Sequence, residues 1–492
     1  MSFIRNFILV FPMLFFIALT SCNKTTENTK IKPSNMKGKP NILLVLADDW
    51  SFPHATIYGD SVVNTPNFDL IAKSGILFNN AFCSAPSCTP SRAAILTGRY
   101  PHALNEGANL WGTLPNSYTN YVSELESAGY VIGYQDKGWG PGNYEDGGYT
   151  HNPAGKLIEN FDSFFEKLDG SKPFCFWYGT RDPHRPYTKG LGEASGLDID
   201  DAVLPDFYPD DSELKSDLLD YYYEVQRIDY DLARILFRLE RKNMLENTLI
   251  VVTSDNGMPF PRAKANCYDL GTRVPLAIAW GDQIKNKGSL ENTFVNLLDL
   301  APTFLDIAGL DIPKEMQGKS LLPLLKGETT QHKDKVFLER ERHAFVRKDN
   351  TSYPMRAVRD SNYLLIHNLY PERWPAGDPI PTDLNKGFGD IDASPSKNIM
   401  ISKKDTDKNY RTFFDISTEK RPEFEFYDII KDPYQTNNLV NSESYQSKIL
   451  DYKKVLMDWR QNTEDGSLNH LGNDYPFDNY KYYGKYNTLL DE

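Results

Sequence analysis

Cysteine is scarce in this chain: five in 492 residues, at positions 22, 83, 88, 175 and 267. A disulfide framework needs a denser and more regular set, so the fold must rest on a hydrophobic core. Basic charge is also short. The 54 lysines and arginines face 67 acidic residues, a formal charge of −13. That balance excludes general nucleic-acid binding, which needs a basic face to displace counterions from phosphates. It leaves room for an anionic group held in a local basic pocket. Beyond Leu19 no apolar run is long enough to span a bilayer, and no internal repeat is evident. What is present, 40% hydrophobic, 13% aromatic and 25% charged residues, excludes disordered, collagen-like and coiled-coil classes. At about 150 residues per domain the length corresponds to roughly three domains, or one large domain with an appendage.

The first residues are set apart from the fold. Arg5 precedes an apolar run from Phe7 to Leu19, the length of a signal-peptide core and short for a membrane span. Leu19-Thr20-Ser21-Cys22 resembles the lipobox of bacterial lipoproteins, which implies cleavage before Cys22 and lipidation of Cys22. Ordinary secretory cleavage nearby is the alternative. Residues 1–21 are read as a lipoprotein signal peptide and 22–39 as a polar tether rich in Thr, Asn and Lys. The expectation is an exported bacterial lipoprotein of the cell envelope, periplasm-facing or on the outer membrane, attached through a lipid anchor.

Several strand-length apolar runs end in polar clusters. Asn41 to Ala47 runs into Asp48-Asp49, Tyr130 to Tyr134 precedes Lys137, Pro173 to Tyr178 precedes Arg181-Asp182-Pro183-His184, and Leu249 to Thr253 runs into Asp255-Asn256-Gly257. Runs without alternation suggest strands covered on both faces, hence a largely parallel sheet between helices. Ligand sites in such sheets lie beyond the carboxyl ends of the strands, so these clusters converge on one site. Leu218, Tyr222, Val225, Leu232, Ile235 and Leu239 recur at helical spacing and lead into the Leu249 strand. Ser123 to Ala128, closed by Gly129, and Phe294 to Ala308, interrupted by Pro302, are further helix candidates. Cys83 and Cys175 lie in apolar runs and read as buried thiols.

Residues 40–330 are expected to form the catalytic domain and 331–492 a smaller C-terminal subdomain. Tyr363 to Ile366 and Glu425 to Ile429 look like its strands. Residues 371–412, rich in Pro, Gly, Asp and Lys, read as a long surface insertion. The Tyr-rich tail from Asn473 to Tyr486 either packs on the surface or lines a glycan groove.

The segment Cys88-Thr89-Pro90-Ser91-Arg92-Ala93-Ala94-Ile95-Leu96-Thr97-Gly98-Arg99 combines an N-cap candidate in Thr89, a proline suited to the first helical position, and a glycine able to end the helix. Cys88 then sits just before a helix N-terminus, where free N–H groups and the dipole favour an anion. Arg92 adds a permanent charge one turn in.

This segment resembles the signature of the type I (formylglycine-dependent) sulfatases, C-x-P-S-R followed by A-A-x-L-T-G-R, from Cys88 to Arg99. The resemblance implies an alkaline-phosphatase-like α/β sandwich with a large, mostly parallel sheet flanked by helices, plus a smaller C-terminal α+β subdomain. It also implies that a maturation enzyme oxidises Cys88 to formylglycine (3-oxoalanine). The hydrated aldehyde attacks sulfur with one hydroxyl and uses the other to expel sulfate. By the same resemblance Asp48, Asp49, Asp255 and Asn256, with residue 88, are calcium ligands, all hard oxygen donors. Lys137 and Lys264 grip sulfate oxygens, Arg92 stabilises the diol, and His184 acts as general acid. Phe426-Tyr427-Asp428, Asp432-Pro433 and Asn438-Leu439 match the family's C-terminal signature, so the likeness spans roughly residues 40–440.

Asp182-Pro183-His184-Arg185, Ser254 to Pro261, Tyr353 to Arg356 and Ile366 to Leu369 are most similar to the heparan N-sulfatase (sulfamidase) branch. One position departs: many sulfatases carry a histidine two residues after the first lysine, where this chain has Trp139. An indole cannot transfer a proton there but can stack on a sugar ring. Arg340, Arg342, His343 and Arg356 are substrate-contact candidates for an acidic group, with salt bridges to Glu339 and Glu341 as the competing reading.

The reading is a sulfuric ester hydrolase that cleaves sulfate esters on oligosaccharides of a sulfated polysaccharide, an algal one such as ulvan first. N-sulfoglucosamine hydrolysis on heparan-type glycans is the second reading. A phosphodiesterase or phosphonate hydrolase of the same superfamily is the third, and a non-catalytic glycan-binding lipoprotein the fourth.

Overall fold

The computed structural model describes residues 38–168, 170–381, 386–469 and 474–485. The expected signal peptide, Cys22 and the tether as far as residue 37 lie outside the described residues. Every residue of β1 (Asn41–Ala47) is buried. Leu43, Val45 and Ala47 pack with Leu218, Val225 and Leu232 of the Ser212–Arg241 helix. Ile42, Leu44 and Leu46 enter a second core on the other face, with Ile95, Leu96 and Phe304. A strand covered on both faces has no solvent side to alternate, which explains the unbroken apolar run.

β2 (Ile76–Phe82), β3 (Val131–Gln135), β4 (Phe174–Gly179), β5 (Thr248–Ser254), β6 (Leu276–Ala279) and β7 (Ser289–Asn296) join β1 in a seven-stranded sheet among the described residues, ordered β3-β4-β1-β5-β6-β2-β7. β3, β4, β1 and β5 are parallel, as are β2 and β7, while β6 runs antiparallel to both its neighbours. β8 (Lys335–Arg340), β9 (Met355–Asp360), β10 (Tyr363–Asn368) and β11 (Phe424–Asp428) form a smaller antiparallel sheet, ordered β11-β10-β9-β8. Val358, Leu365 and Phe426 on one face meet Ile449, Leu456 and Trp459 of the Gln446–Asn462 helix. Leu338, Met355 and Ile366 on the other pack with Phe82 and Phe294 of the large sheet. The expected α/β architecture is therefore present. No helix among the described residues is long and apolar enough to cross a membrane.

Three local expectations change. Phe294 to Asn296 belong to β7, and the helix begins only at Leu300, with Pro302 inside its first turn, where no N–H bond is lost. The apolar run fitted either period, and parallel pairing of Phe294 and Val295 with β2 decides it. The helix starts at Cys88 itself, with Ser87 at the N-cap position but without a side-chain capping bond, and the Thr89 hydroxyl donates to the Pro141 carbonyl at 2.5 Å. Residues 371–412 are not confined to the surface: Phe388, Ile391, Ile399 and Met400 enter the main core. Ser396 Oγ donates to Asp217 Oδ2 of the Ser212–Arg241 helix at 2.5 Å.

Candidate active site

β1 and β5 are adjacent and parallel, with Ala47 opposite Ser254, so the residues that follow them, Asp48-Asp49 and Asp255-Asn256, emerge side by side. Consecutive residues of an extended strand face opposite ways. Asp49 breaks that alternation with φ 81°, and both carboxylates turn into one site. Asp136, at φ 56°, does the same for Lys137 after β3. Left-handed backbone at residues other than glycine costs of the order of 1–3 kcal/mol, and two such residues stand here just beyond strand ends.

Carboxylate oxygens of Asp48, Asp49 and Asp255 and the Cys88 Sγ lie within 4.8 Å of one another. The Cys88 thiol approaches Asp48 Oδ1 at 3.3 Å. Arg92, fully buried, donates through Nε to Asp255 Oδ2 at 2.7 Å and through Nη1 to the carbonyls of Lys137 and Gly138 at 2.9 Å each. It thus ties the Cys88 helix to β5 and to the loop after β3. Lys137 Nζ lies 2.5 Å from Asp48 Oδ2, and Lys264 Nζ 2.7 Å from Asp49 Oδ2. The His184 Nδ1–H donates to the Arg185 carbonyl at 2.5 Å, leaving Nε2 facing Asp49 Oδ2 at 3.9 Å. Arg185 itself is anchored by a bidentate pair with Asp217 at 2.7 Å, which fixes the His184 loop against the long helix.

Burial raises the Asp48 carboxyl, but Lys137, His184, Arg92 and Lys264 outweigh it and hold the group well below the carboxylate range. Burial pushes Asp255 up to about 6 against the pull of Arg92. Burial, with Asp48 alongside, drives the Cys88 thiol well above its usual value, so at neutral pH it is protonated and a poor nucleophile. Both lysines stay cationic despite burial, Lys137 through Asp48 and Lys264 through Asp392 and Asp49.

The site suits a divalent cation. Its donors are hard oxygens, the combination calcium and magnesium prefer. The buried Asn256 Oδ1 has no protein partner, while its Nδ2 donates to Asp49 Oδ1 at 2.6 Å. His184 is the sole histidine in the metal-capable groups of the described residues.

Cys88, Asp48, Lys137, Trp139, His184, Lys264 and His343 line one cavity of ≈770 Å³. Trp139 is buried in its wall, its backbone N–H and C=O bonded to the Asn152 side chain at 2.9 and 2.8 Å. His343 shares a hydrogen bond with the N-cap Ser87 at 2.8 Å. Burial, with Lys264 and Arg340 near, pushes His343 down to about 3, so it is neutral and offers no cation to an acidic substrate.

The three arginine candidates serve other purposes. Arg340 reaches the Pro375 carbonyl at 3.0 Å and pairs with Asp390. Arg342 donates to the carbonyls of Tyr480 and Lys481 at 2.8 and 3.1 Å. Arg356 is fully buried among Asp465, Glu341 and Glu339. Of the three, Arg356 fits the salt-bridge reading with Glu339 and Glu341, in the interior rather than on the surface; Arg340 pairs with Asp390 instead, and Arg342 bonds to backbone carbonyls.

Asp392 is the site residue that sequence reasoning missed. It lines the cavity, stands 3.5 Å from Lys264 Nζ, and clusters with Asp49 and His184. Lys264, His184 and His343 hold it down to about 2, against the effect of burial. Its segment carried only isolated apolar residues, and no local signal announced a return to the site.

Fold and site together bring a buried cysteine, an acidic cluster able to hold a metal ion and two lysines to one cavity at the ends of a largely parallel sheet. The chain belongs to the sulfatase family, which matches residues 40–310, and is a sulfuric ester hydrolase. Residues 263–381 match the C-terminal region of N-sulphoglucosamine sulphohydrolase. Among curated relatives, human N-sulphoglucosamine sulphohydrolase is 28% identical over 471 residues, covering 86% of this chain and 90% of that one. An ulvan-active sulfatase of Formosa agariphila is 27% identical over 460 residues, covering 89% and 84%. A solved structure in complex with its substrate D-glucosamine-2-N,6-O-disulfate shares the fold at a TM-score of 0.63 and 20% identity, covering 88% of this chain and 100% of that one.

Proposed function

We propose that this sulfatase removes sulfate esters from oligosaccharides of a sulfated polysaccharide, with an algal glycan of the ulvan type as its first substrate class. The observation that carries the reading is the convergence of Lys137, Lys264, Arg92 and His184 on residue 88 in a cavity walled by Trp139. Formylglycine at position 88, installed by a maturation enzyme, would supply the nucleophile that the protonated thiol does not, and calcium, which Asp48, Asp49, Asp255 and Asn256 would hold, would supply Lewis-acid polarisation of a sulfate oxygen.

The chain's own residues do the rest. Lys137 and Lys264 present two ammonium groups, one on Asp48 and one on Asp49, and neutralise the sulfate oxygens. Arg92 fixes residue 88 relative to Asp255. His184, its Nδ1–H committed to the Arg185 carbonyl, turns Nε2 into the cavity, where the imidazolium form carries the second proton that passes to the leaving oxygen. Trp139, packed in the core beneath the cavity wall, shapes that wall and leaves no free indole face for a sugar ring.

The match to the sulphoglucosamine C-terminal region and the human relative favour a second reading, N-sulfated glucosamine. The absence of a histidine at Trp139 supports the first. Oxygen donors and a single histidine at the cradle disfavour the two-zinc phosphodiesterase or phosphonate reading. Sulfate release from ulvan, carrageenan, fucoidan, chondroitin and heparan fragments decides: ulvan fragments are the expected substrate, and release from heparan fragments alone would reverse the order.

The envelope location rests on the Leu19–Cys22 motif. Incorporation of a palmitate analogue, lost in Cys22→Ser, is the expected result.

A further inference from the structure

A second cavity of ≈540 Å³ adjoins the catalytic one, and Trp111 and Asp392 line both. Its other walls include Phe345, Ile391, Tyr483 and Lys485. Neither matched family region extends past residue 381, so the part built from residues 389–393 and 482–485 has no assigned role.

Its construction is specific. Trp111 holds φ 58°, an uncommon conformation for a bulky residue and one that points to a constraint worth maintaining. Its N–H donates to the Pro141 carbonyl at 3.2 Å, and its own carbonyl accepts from the Tyr483 N–H at 2.8 Å. The C-terminal segment is thereby laced onto Trp111, which lines both cavities. Arg342 secures the same segment through the Tyr480 and Lys481 carbonyls. The Tyr483 hydroxyl donates to Asp146 at 2.5 Å, and Lys481 Nζ stands 4.4 Å from the Tyr483 ring centroid.

We propose that this groove is a saccharide subsite that takes the next sugar of the chain whose sulfated residue occupies the catalytic cavity. A pyranose has an apolar face for Trp111 and Tyr483 and a rim of hydroxyls for the surrounding polar groups. Lys485 suits a uronate or a second sulfate on that sugar. Continuity through Trp111 and Asp392 sets the occupant: a chain leaving the catalytic cavity on this side passes directly into the groove. The size falls within the range of small-ligand sites. The inference rests on the saccharide reading above.

Calorimetry on full-length Cys88→Ala protein, which cannot turn over, tests it with ulvan- and heparan-derived sulfated mono-, di- and tetrasaccharides. For the glycan that binds, Kd is expected to fall about fivefold to tenfold from mono- to tetrasaccharide, the size of an aromatic contact with a charge beside it. Tyr483→Ala and Lys485→Glu, each introduced into that background, should erase most of the gain and leave the monosaccharide Kd unchanged. A Kd independent of length, a gain that survives both substitutions, or no binding of any oligosaccharide overturns the subsite. Failure of the sulfatase reading shows separately, as no sulfate release from any of these glycans by formylglycine-bearing protein.

Discussion

Replacing Arg356 by methionine separates a structural from a substrate-binding role. The guanidinium is fully buried, with Nε 2.8 Å from Asp465 Oδ2 and Nη2 2.6 Å from Glu341 Oε1. Methionine fills much of the space but leaves those carboxylates without their shared cation. Removing one partner of a buried pair costs about 3–5 kcal/mol. The low end applies here, because Asp465 keeps Arg460 at 2.8 Å, Glu339 keeps His102 at 2.6 Å, and Glu341 keeps the Tyr475 hydroxyl at 2.6 Å. Unfolding entropy of about 2.1 cal/mol/K per residue over about 450 residues converts about 3 kcal/mol into a Tm loss of roughly 3 °C. Differential scanning calorimetry measures that loss, and sulfate release against substrate concentration gives KM in parallel. Arg356→Met should lower Tm with KM little changed. An unaltered Tm with KM raised tenfold would refute the assignment and return Arg356 to the substrate.

Lys137→Met and Lys264→Met should each lower kcat/KM by about 10²–10³, the usual cost of losing one donor to a developing oxyanion, measured as initial rates of sulfate release. Asp392→Asn should raise KM for saccharide substrates while melting stays near that of the parent, since the carboxylate lines the cavity and its partner Lys264 keeps Asp49 at 2.7 Å. Glu341 is pushed up to about 7 from 4.5, chiefly by burial. A carboxyl raised on folding stabilises below its unfolded value and loses that contribution as pH rises through the folded one. Tm should therefore decline between pH 4.5 and 7 through this group, and Glu341→Gln should flatten the decline in a pH series of melting curves. Chelation by EDTA should abolish sulfate release, with calcium restoring it.

The strands that deliver the site were legible because both their faces are covered, which turns a three-dimensional fact into unbroken apolar runs ending in Asp48, Lys137, His184 and Asp255. The Cys88–Arg99 segment was legible through its residue spacing, although the N-cap position lies two residues earlier, at Ser87, and Thr89 bonds to the Pro141 carbonyl. Asp392 was not legible. Its place depends on Ile391, Ile399 and Met400 entering a core made by residues far away in sequence, and single apolar residues among Pro, Gly and Asp carry no period. Arg340, Arg342 and Arg356 were ambiguous for a related reason. An arginine near a cleft reads alike whether its carboxylate partner belongs to a substrate or, like Asp465 and Asp390, to a distant part of the chain.

The central claim, sulfate ester hydrolysis through residue 88, is tested most directly by free sulfate released from the glycan panel by protein coexpressed with a formylglycine maturase, beside Cys88→Ala treated identically. Mass spectrometry of the residue-88 peptide verifies conversion. Sulfate released by the converted protein and absent from the control is the predicted result. A converted residue 88 with no sulfate released, and phosphate or phosphonate esters cleaved instead, would contradict it.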